Sequence, residues 1–201
     1  MLKIASNIAR CGRTSFNLHQ SDNISKFTRK EIDFFANLGE NLGFFTFIED
    51  SKHDKSINRS RPMDLSWWKS DERIDKENFV ELILHLERES IRKKDTETID
   101  KLFSKTEKEF VPKCVVAIQY VDNKERIEFL NELVTIRNRE QKSQVLMIYR
   151  YEDKGESVEK VCAYTFNENG SLNSDLRKAV CFIDRTGYWT MAFEEEFYLK
   201  Q

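Results

Sequence analysis

The sequence predicts an α/β domain: a central mixed sheet flanked by helices, with extra strands at its C-terminal end. Three observations carry this reading. Apolar residues recur at helical offsets in residues 27–42 and again in 124–140. Around them lie short runs rich in aromatic and β-branched residues, FFTFIED, MDLSWWK, FVELILHLE, KCVVAIQYV and QVLMIYRYE, which read as strands. The 201 residues contain no internal repeat, low-complexity tract or Pro/Gly-rich linker, so one domain can bury the apolar side chains without disulfides or a structural metal.

In chain order, FTRKEIDFFANLGENL places Phe27, Ile32, Phe34, Phe35, Leu38 and Leu42 mostly on one helical stripe. Ser25 or Thr28 is placed to cap its start, and Gly43 stands where a helix C-terminus wants a positive φ. FFTFIED follows as a strand, and the polar SKHDKSINRSRP reads as a loop. MDLSWWK is the second strand and the more apolar FVELILHLE the third. TETIDKLFSKTEKEF reads as a helix capped by Thr96 or Asp95 and stopped by Pro112. KCVVAIQYV reads as a strand buried on both faces, and KERIEFLNELVTIRNRE as an amphipathic helix with Ile127, Leu130, Leu133, Val134 and Arg137 on one side. QVLMIYRYE is the next strand. VCAYTFNENG, KAVCFIDRTG and YWTMAFEEEFYL read as further strands with Asn-Gly and Thr-Gly turns, either extending the sheet or forming a small appendage. Three consecutive strands suit a meander, whereas each later one arrives through a helical crossover, so the sheet must be mixed.

Composition narrows the function. Aromatic residues at 12% and hydrophobic residues at 39% exclude a disordered chain, while the 34% charged share predicts a heavily charged surface. With 33 basic and 35 acidic residues, any polyanion site must be local. Cys11, Cys114, Cys162 and Cys181 lie far apart, three of them in strand-like runs, and read as reduced thiols. His19, His53 and His85 are scattered, and no CxxC or HxxxH spacing supports zinc. The N-terminal MLKIASNIARCGRTSFNLHQ is acid-free and weakly amphipathic, but it has no continuous apolar region, and no stretch reaches the length of a membrane span. A cytoplasmic protein is expected.

The densest chemistry lies in Met63–Ser90. Asp64 opens the second strand, and Glu87 and Glu89 close the third. Two glutamates two residues apart share one face of a strand, where like charges are unfavourable without a cation. Otherwise the strand ends by Leu86 and the glutamates enter a loop, satisfied by Arg88 or Arg92. Asp64 reads equally as a turn or edge residue, and Glu31 as a first-turn acid favouring the helix dipole. Of the adjacent Trp67 and Trp68, one faces the core, and the other is free to stack on a base or cover a cleft.

This element order, with these acids, resembles the restriction-endonuclease-like, or PD-(D/E)xK, nuclease superfamily, whose core runs αβββαβαβ. The likeness covers about residues 27–152, leaving 1–26 as an N-terminal extension and 153–201 as a β-rich C-terminal extension of the same domain. Asp64 matches the acid of the second strand, and Glu87, Arg88 and Glu89 match the acid-x-lysine triplet, with Glu in place of lysine. Pro62 stands two residues before Asp64 rather than next to it. Glu31, twelve residues before Gly43, matches an acid of the first helix. The resemblance implies a Mg2+-dependent nuclease, with Mn2+ as a substitute, in which Asp64 and Glu87 hold the metal. Glu31 completes its outer coordination, and Glu89 or a nearby lysine polarises the attacking water. Arg61, Arg88, Arg92 and Lys93 are the expected nucleic-acid contacts, the alternative for this basic cluster being a solvated charged face. The implied substrate is double-stranded DNA, and a homodimer would address both strands. A nuclease fold kept as a nucleic-acid or protein interaction module is the alternative, and a small defence or regulatory protein dimerising through its tail strands is a third.

Overall fold

The computed structural model describes residues 24–50, 53–54, 59–60, 62–71, 73, 79–104, 110–174, 176, 178–183, 185 and 189–199. Helix α1 (Ile24–Asn41) buries Ile32, Phe35, Ala36 and Gly39, the i, i+3, i+4, i+7 stripe. Its end is a Schellman turn: Phe44 N–H donates to Gly39 O at 3.0 Å and Gly43 N–H to Glu40 O at 2.9 Å, with Gly43 at φ 84°. The helix begins earlier than the apolar stripe, so Glu31 lies two turns inside it rather than in the first turn, and the helix-dipole reading of that residue is corrected.

Strands β1 (Phe45–Asp50), β4 (Met63–Ser70) and β5 (Phe79–Glu89) form the antiparallel meander. Between the first two, β2 (His53–Asp54) and β3 (Arg59–Ser60) pair as a ribbon where a plain loop was expected; its polar residues carry no alternation that would announce it. A 3-10 turn (Arg92–Lys94) leads into α2 (Asp95–Leu102), which ends well before the predicted Pro112 stop. Neither expected cap acts from outside the helix. Asp95 is its first residue, and its buried carboxylate pairs with Arg126, Nε to Oδ2 at 2.7 Å.

β6 (Cys114–Tyr120), α3 (Lys124–Gln141) and β7 (Gln144–Asp153) follow as expected. Asn123 caps α3 by accepting from Arg126 N–H at 2.9 Å. The helix buries Ile127, Leu130 and Val134 on the predicted side, whereas Arg137 reaches outward to Asp100. β8 (Val158–Phe166), β9 (Leu172–Asn173), β10 (Ala179–Ile183) and β11 (Trp189–Phe193) continue the same sheet. The last segment, expected to be strand throughout, turns into α4 (Glu194–Tyr198), whose three first-turn glutamates favour the helix N-terminus.

The strand order is β1-β4-β5-β6-β7-β8-β10-β11, with β9 beside β8. β5, β6 and β7 are parallel and the remaining pairs antiparallel, as their crossovers through α2 and α3 require. The described residues thus form an α/β fold with a mixed nine-stranded sheet. Alternation along the central strands divides the core. Val115, Ala117, Val145 and Met147 meet α2 and α3 on one face, and Val116, Ile118, Leu146 and Ile148 belong to the α1 core on the other. Among the described residues no helix is long and apolar enough to cross a membrane.

Candidate active site

β4 and β5 stop pairing where the acids begin. Their register ends at Leu65 opposite Leu86, while β5 runs on to Glu89 beside β6, pairing Glu87 with Ala117 and Glu89 with Gln119. Both glutamates are therefore strand residues, not loop residues. Beyond the last ladder pair, side chains take over: Asp64 N–H donates to Glu87 Oε1 at 3.0 Å, and Arg88 N–H donates to Asp64 Oδ2 at 2.7 Å. Each carboxylate thus accepts a backbone N–H from the opposite strand just beyond the last β4–β5 ladder pair. Across β4 from them, Glu49 adopts φ 56°, a left-handed conformation that costs energy in a non-glycine residue and interrupts the β1 edge.

Glu87 faces the α2 side of the sheet, and α2 delivers a cation to it. Lys101 Nζ lies 2.6 Å from Glu87 Oε1. Even so, burial and the neighbouring Asp64 charge push the Glu87 carboxyl up to about 7, with Lys101 offsetting part of the effect. Asp64 is also raised, chiefly by burial, and the charge of Glu89 adds to the shift. Glu89 keeps one oxygen on its own chain, accepting from Ile91 N–H at 2.7 Å.

The opposite face holds a second, buried ion network. Arg88 points away from Glu87, as alternation demands, and its Nε lies 2.6 Å from Glu31 Oε2. Arg150 bridges the other Glu31 oxygen at 3.2 Å and Glu159 Oε1 at 2.6 Å, while Tyr120 donates its hydroxyl to Glu159 at 2.9 Å. Both guanidinium groups lie against the Tyr120 ring, at 5.6 Å for Arg88 and 4.7 Å for Arg150.

Set against the sequence reading, the structure brings Asp64 and Glu87 together, with Glu89 near enough to act on Asp64 electrostatically. Glu31 lies on the α1 face, occupied by two arginines. The expectation that Arg88 contacts nucleic acid is corrected, because its side chain is 1% exposed and committed to Glu31. Arg92 and Lys93 stand exposed on the 3-10 turn, Arg92 at 3.8 Å from Asp122. Arg61 lies outside the described residues.

No family model matches the chain, and no curated protein matches it in sequence. Among the described residues no three His, Cys, Asp or Glu side chains gather into a cage. The donor set is instead a pair of mutually repelling carboxylates, half-buried Asp64 and buried Glu87. That suits Mg2+, which commonly takes one or two protein carboxylates and fills its remaining positions with water and phosphate oxygens.

Sequence reasoning missed several members of the two networks. Lys101 is fourteen residues from Glu87 and reaches it only through tertiary packing, so no local spacing marks it. Arg150 does leave a trace, as a charge inside the apolar run QVLMIYRYE, which must find a buried partner. Gln119 stands beside Glu89 in the parallel register, fully buried; its Nε2 donates to Asp95 O at 3.0 Å, and its Oε1 has no hydrogen-bond partner among the described residues.

Proposed function

We propose that the protein is a Mg2+-dependent nuclease of the restriction-endonuclease-like, PD-(D/E)xK type, cutting DNA phosphodiesters at Asp64 and Glu87. The observation that carries the reading is the placing of these two carboxylates by backbone N–H groups across the ends of β4 and β5, Asp64 N–H on Glu87 and Arg88 N–H on Asp64, with Lys101 held against Glu87. Bound Mg2+ would supply Lewis acidity at the phosphate and a more acidic bound water. Asp64 and Glu87 would hold it, exchanging mutual repulsion for coordination. Lys101 fills the cationic role that Glu89 leaves open: its ammonium can orient the attacking water and stabilise charge growing on the phosphate. Arg92 and Lys93, exposed just beyond Glu89, are placed to meet the flanking backbone phosphates. Glu31 acts from the other face, holding Arg88 and with it the backbone N–H that fixes Asp64. The free thiols Cys162 and Cys181, both buried, accord with a cytoplasmic setting.

Cleavage of plasmid and oligonucleotide DNA in Mg2+ and Mn2+ tests this. The wild type is expected to cut. Asp64→Asn and Glu87→Gln should each lose about 10^3-fold or more in rate, and Lys101→Met about 10^2-fold, with folding checked by circular dichroism. Absence of both cleavage and carboxylate-dependent metal binding in calorimetry would sink the proposal. Nucleic-acid binding without cleavage in either metal would favour the interaction module instead.

A further inference from the structure

Beside the dyad, the sheet face that carries Asp64 is paved with rings. α2 packs on β5 and β6. On the β1 and β4 part of that face, Phe45 pairs across with Trp68, and Phe47 with Ser66. Phe79, at the start of β5, gathers these rings, lying 5.5 Å from Phe45, 5.2 Å from Phe47 and 5.9 Å from Trp68, edge-on or tilted. Phe110 sets its ring edge-on to Trp68 at 5.1 Å. Such contacts fix the rings without covering them: Phe45 is 52% exposed, and Phe47 and Phe79 are 37% exposed. Trp68 is oriented further by its indole N–H, which donates to Asp50 Oδ2 at 2.8 Å. Its neighbour Trp67 is buried on the α1 face, so the Trp-Trp pair divides as alternation predicts.

We propose that this aromatic shelf is a stacking platform for unpaired bases, so that the protein engages single-stranded or frayed nucleic acid rather than intact duplex. The proposal rests on the nuclease reading of the adjacent dyad and names its substrate. Asp64, Ser66 and Trp68 alternate onto one face of β4, which puts Trp68 about 13 Å from Asp64 at ~3.3 Å per residue. That is the length of about four stacked nucleotides at ~3.4 Å each. A strand whose phosphate sits at Asp64 and Glu87 therefore brings its neighbouring bases onto the shelf. Duplex bases are already stacked on one another and offer no ring faces except at ends; unpaired bases do, and stacking each on an aromatic side chain contributes about 1–3 kcal/mol. Continuity with the carboxylate pair along one strand face selects nucleic acid over a protein partner.

The test is binding without divalent cations, where cleavage plays no part. Fluorescence anisotropy would follow a labelled single-stranded DNA of about 15 nucleotides, and the matching duplex, with the full chain. The wild type should prefer the single strand. Phe47→Ala and Phe79→Ala should each weaken it about 5- to 100-fold, and Phe47→Trp should retain it. Phe129→Ala, removing an exposed ring on α3, should leave it unchanged. Loss in Phe47→Ala and Phe79→Ala, with a wild type that cuts nothing, keeps the platform and discards the nuclease. Metal-dependent cleavage with single-strand binding unaltered in both variants overturns the platform and keeps the nuclease. Equal binding of duplex and single strand, or no binding together with Phe47-dependent self-association in sedimentation, also overturns it.

Discussion

Glu87 keeps its proton near neutrality because it is buried beside another carboxylate, and this has a measurable cost. The unfolded chain releases that proton at its ordinary value of 4.5, the folded chain at about 7. Between those values the unfolded state binds fewer protons, so stability falls as pH rises through the window, by about 3 kcal/mol for the single group. Glu87→Gln should abolish most of that fall, which urea denaturation at pH 5 and pH 8 in chelator would reveal. A slope unchanged from wild type would refute the assignment. If the proposed metal site is correct, metal would have to displace the same proton, and Mn2+ affinity by calorimetry should rise about tenfold per pH unit up to about 7 and then level off. Residue by residue, Asp64 and Glu87 were legible because strand starts and ends can be placed from local pattern. Lys101 was not, since only the packing of α2 brings it there. Arg88 was half legible: alternation from Glu87 already turns it to the other face.

Elements were legible wherever hydrophobic period was strong. The stripe of α1, the both-face burial of β6, the strand β7 and the crossover helix α3 follow from it directly. The ribbon β2–β3 and the short helix α4 were missed, the first for want of any period, the second because alternating aromatics run straight into EEEFY. Docking of α1 depends on a position that periodicity cannot rank. A Cβ at Gly39 would lie 2.7 Å from Thr46 Cγ2 and 2.7 Å from the Trp67 indole. Alanine normally gains up to about 1 kcal/mol over glycine within a helix. Here the clash with a β-branched residue and a buried ring reverses the sign, and Gly39→Ala should destabilise by about 1–3 kcal/mol. A thermal melt reads this as a lower Tm; an unchanged or higher Tm would show that α1 shifts freely.

For the whole molecule, the order of the helices and main-sheet strands up to β7 could be read in advance, but the destination of the tail could not. An appendage and a continued sheet share one local pattern, and only antiparallel pairing of β8 with β7 decides between them. That pairing brings Glu159 to the buried guanidinium of Arg150, which also meets Glu31. Glu159→Ala should destabilise by about 3–5 kcal/mol, measured by denaturant unfolding, because it removes one carboxylate from a buried, charge-paired guanidinium. A loss below about 1 kcal/mol would mean that Glu31 alone suffices.

The same network sets an order of events during synthesis. Glu31 and Arg150 are separated by 119 positions, and Glu159 comes later still. Arg88 and Glu31 leave the ribosome early, yet their arrangement closes only when β7 and β8 have emerged. Loop closure over that span is slow compared with helix or hairpin formation. The nascent chain therefore carries its meander, with the ring-paved face of β1, β4 and β5, before the sheet that flattens and supports it is complete. In that interval the exposed apolar face makes the chain more prone to aggregate than the finished fold is.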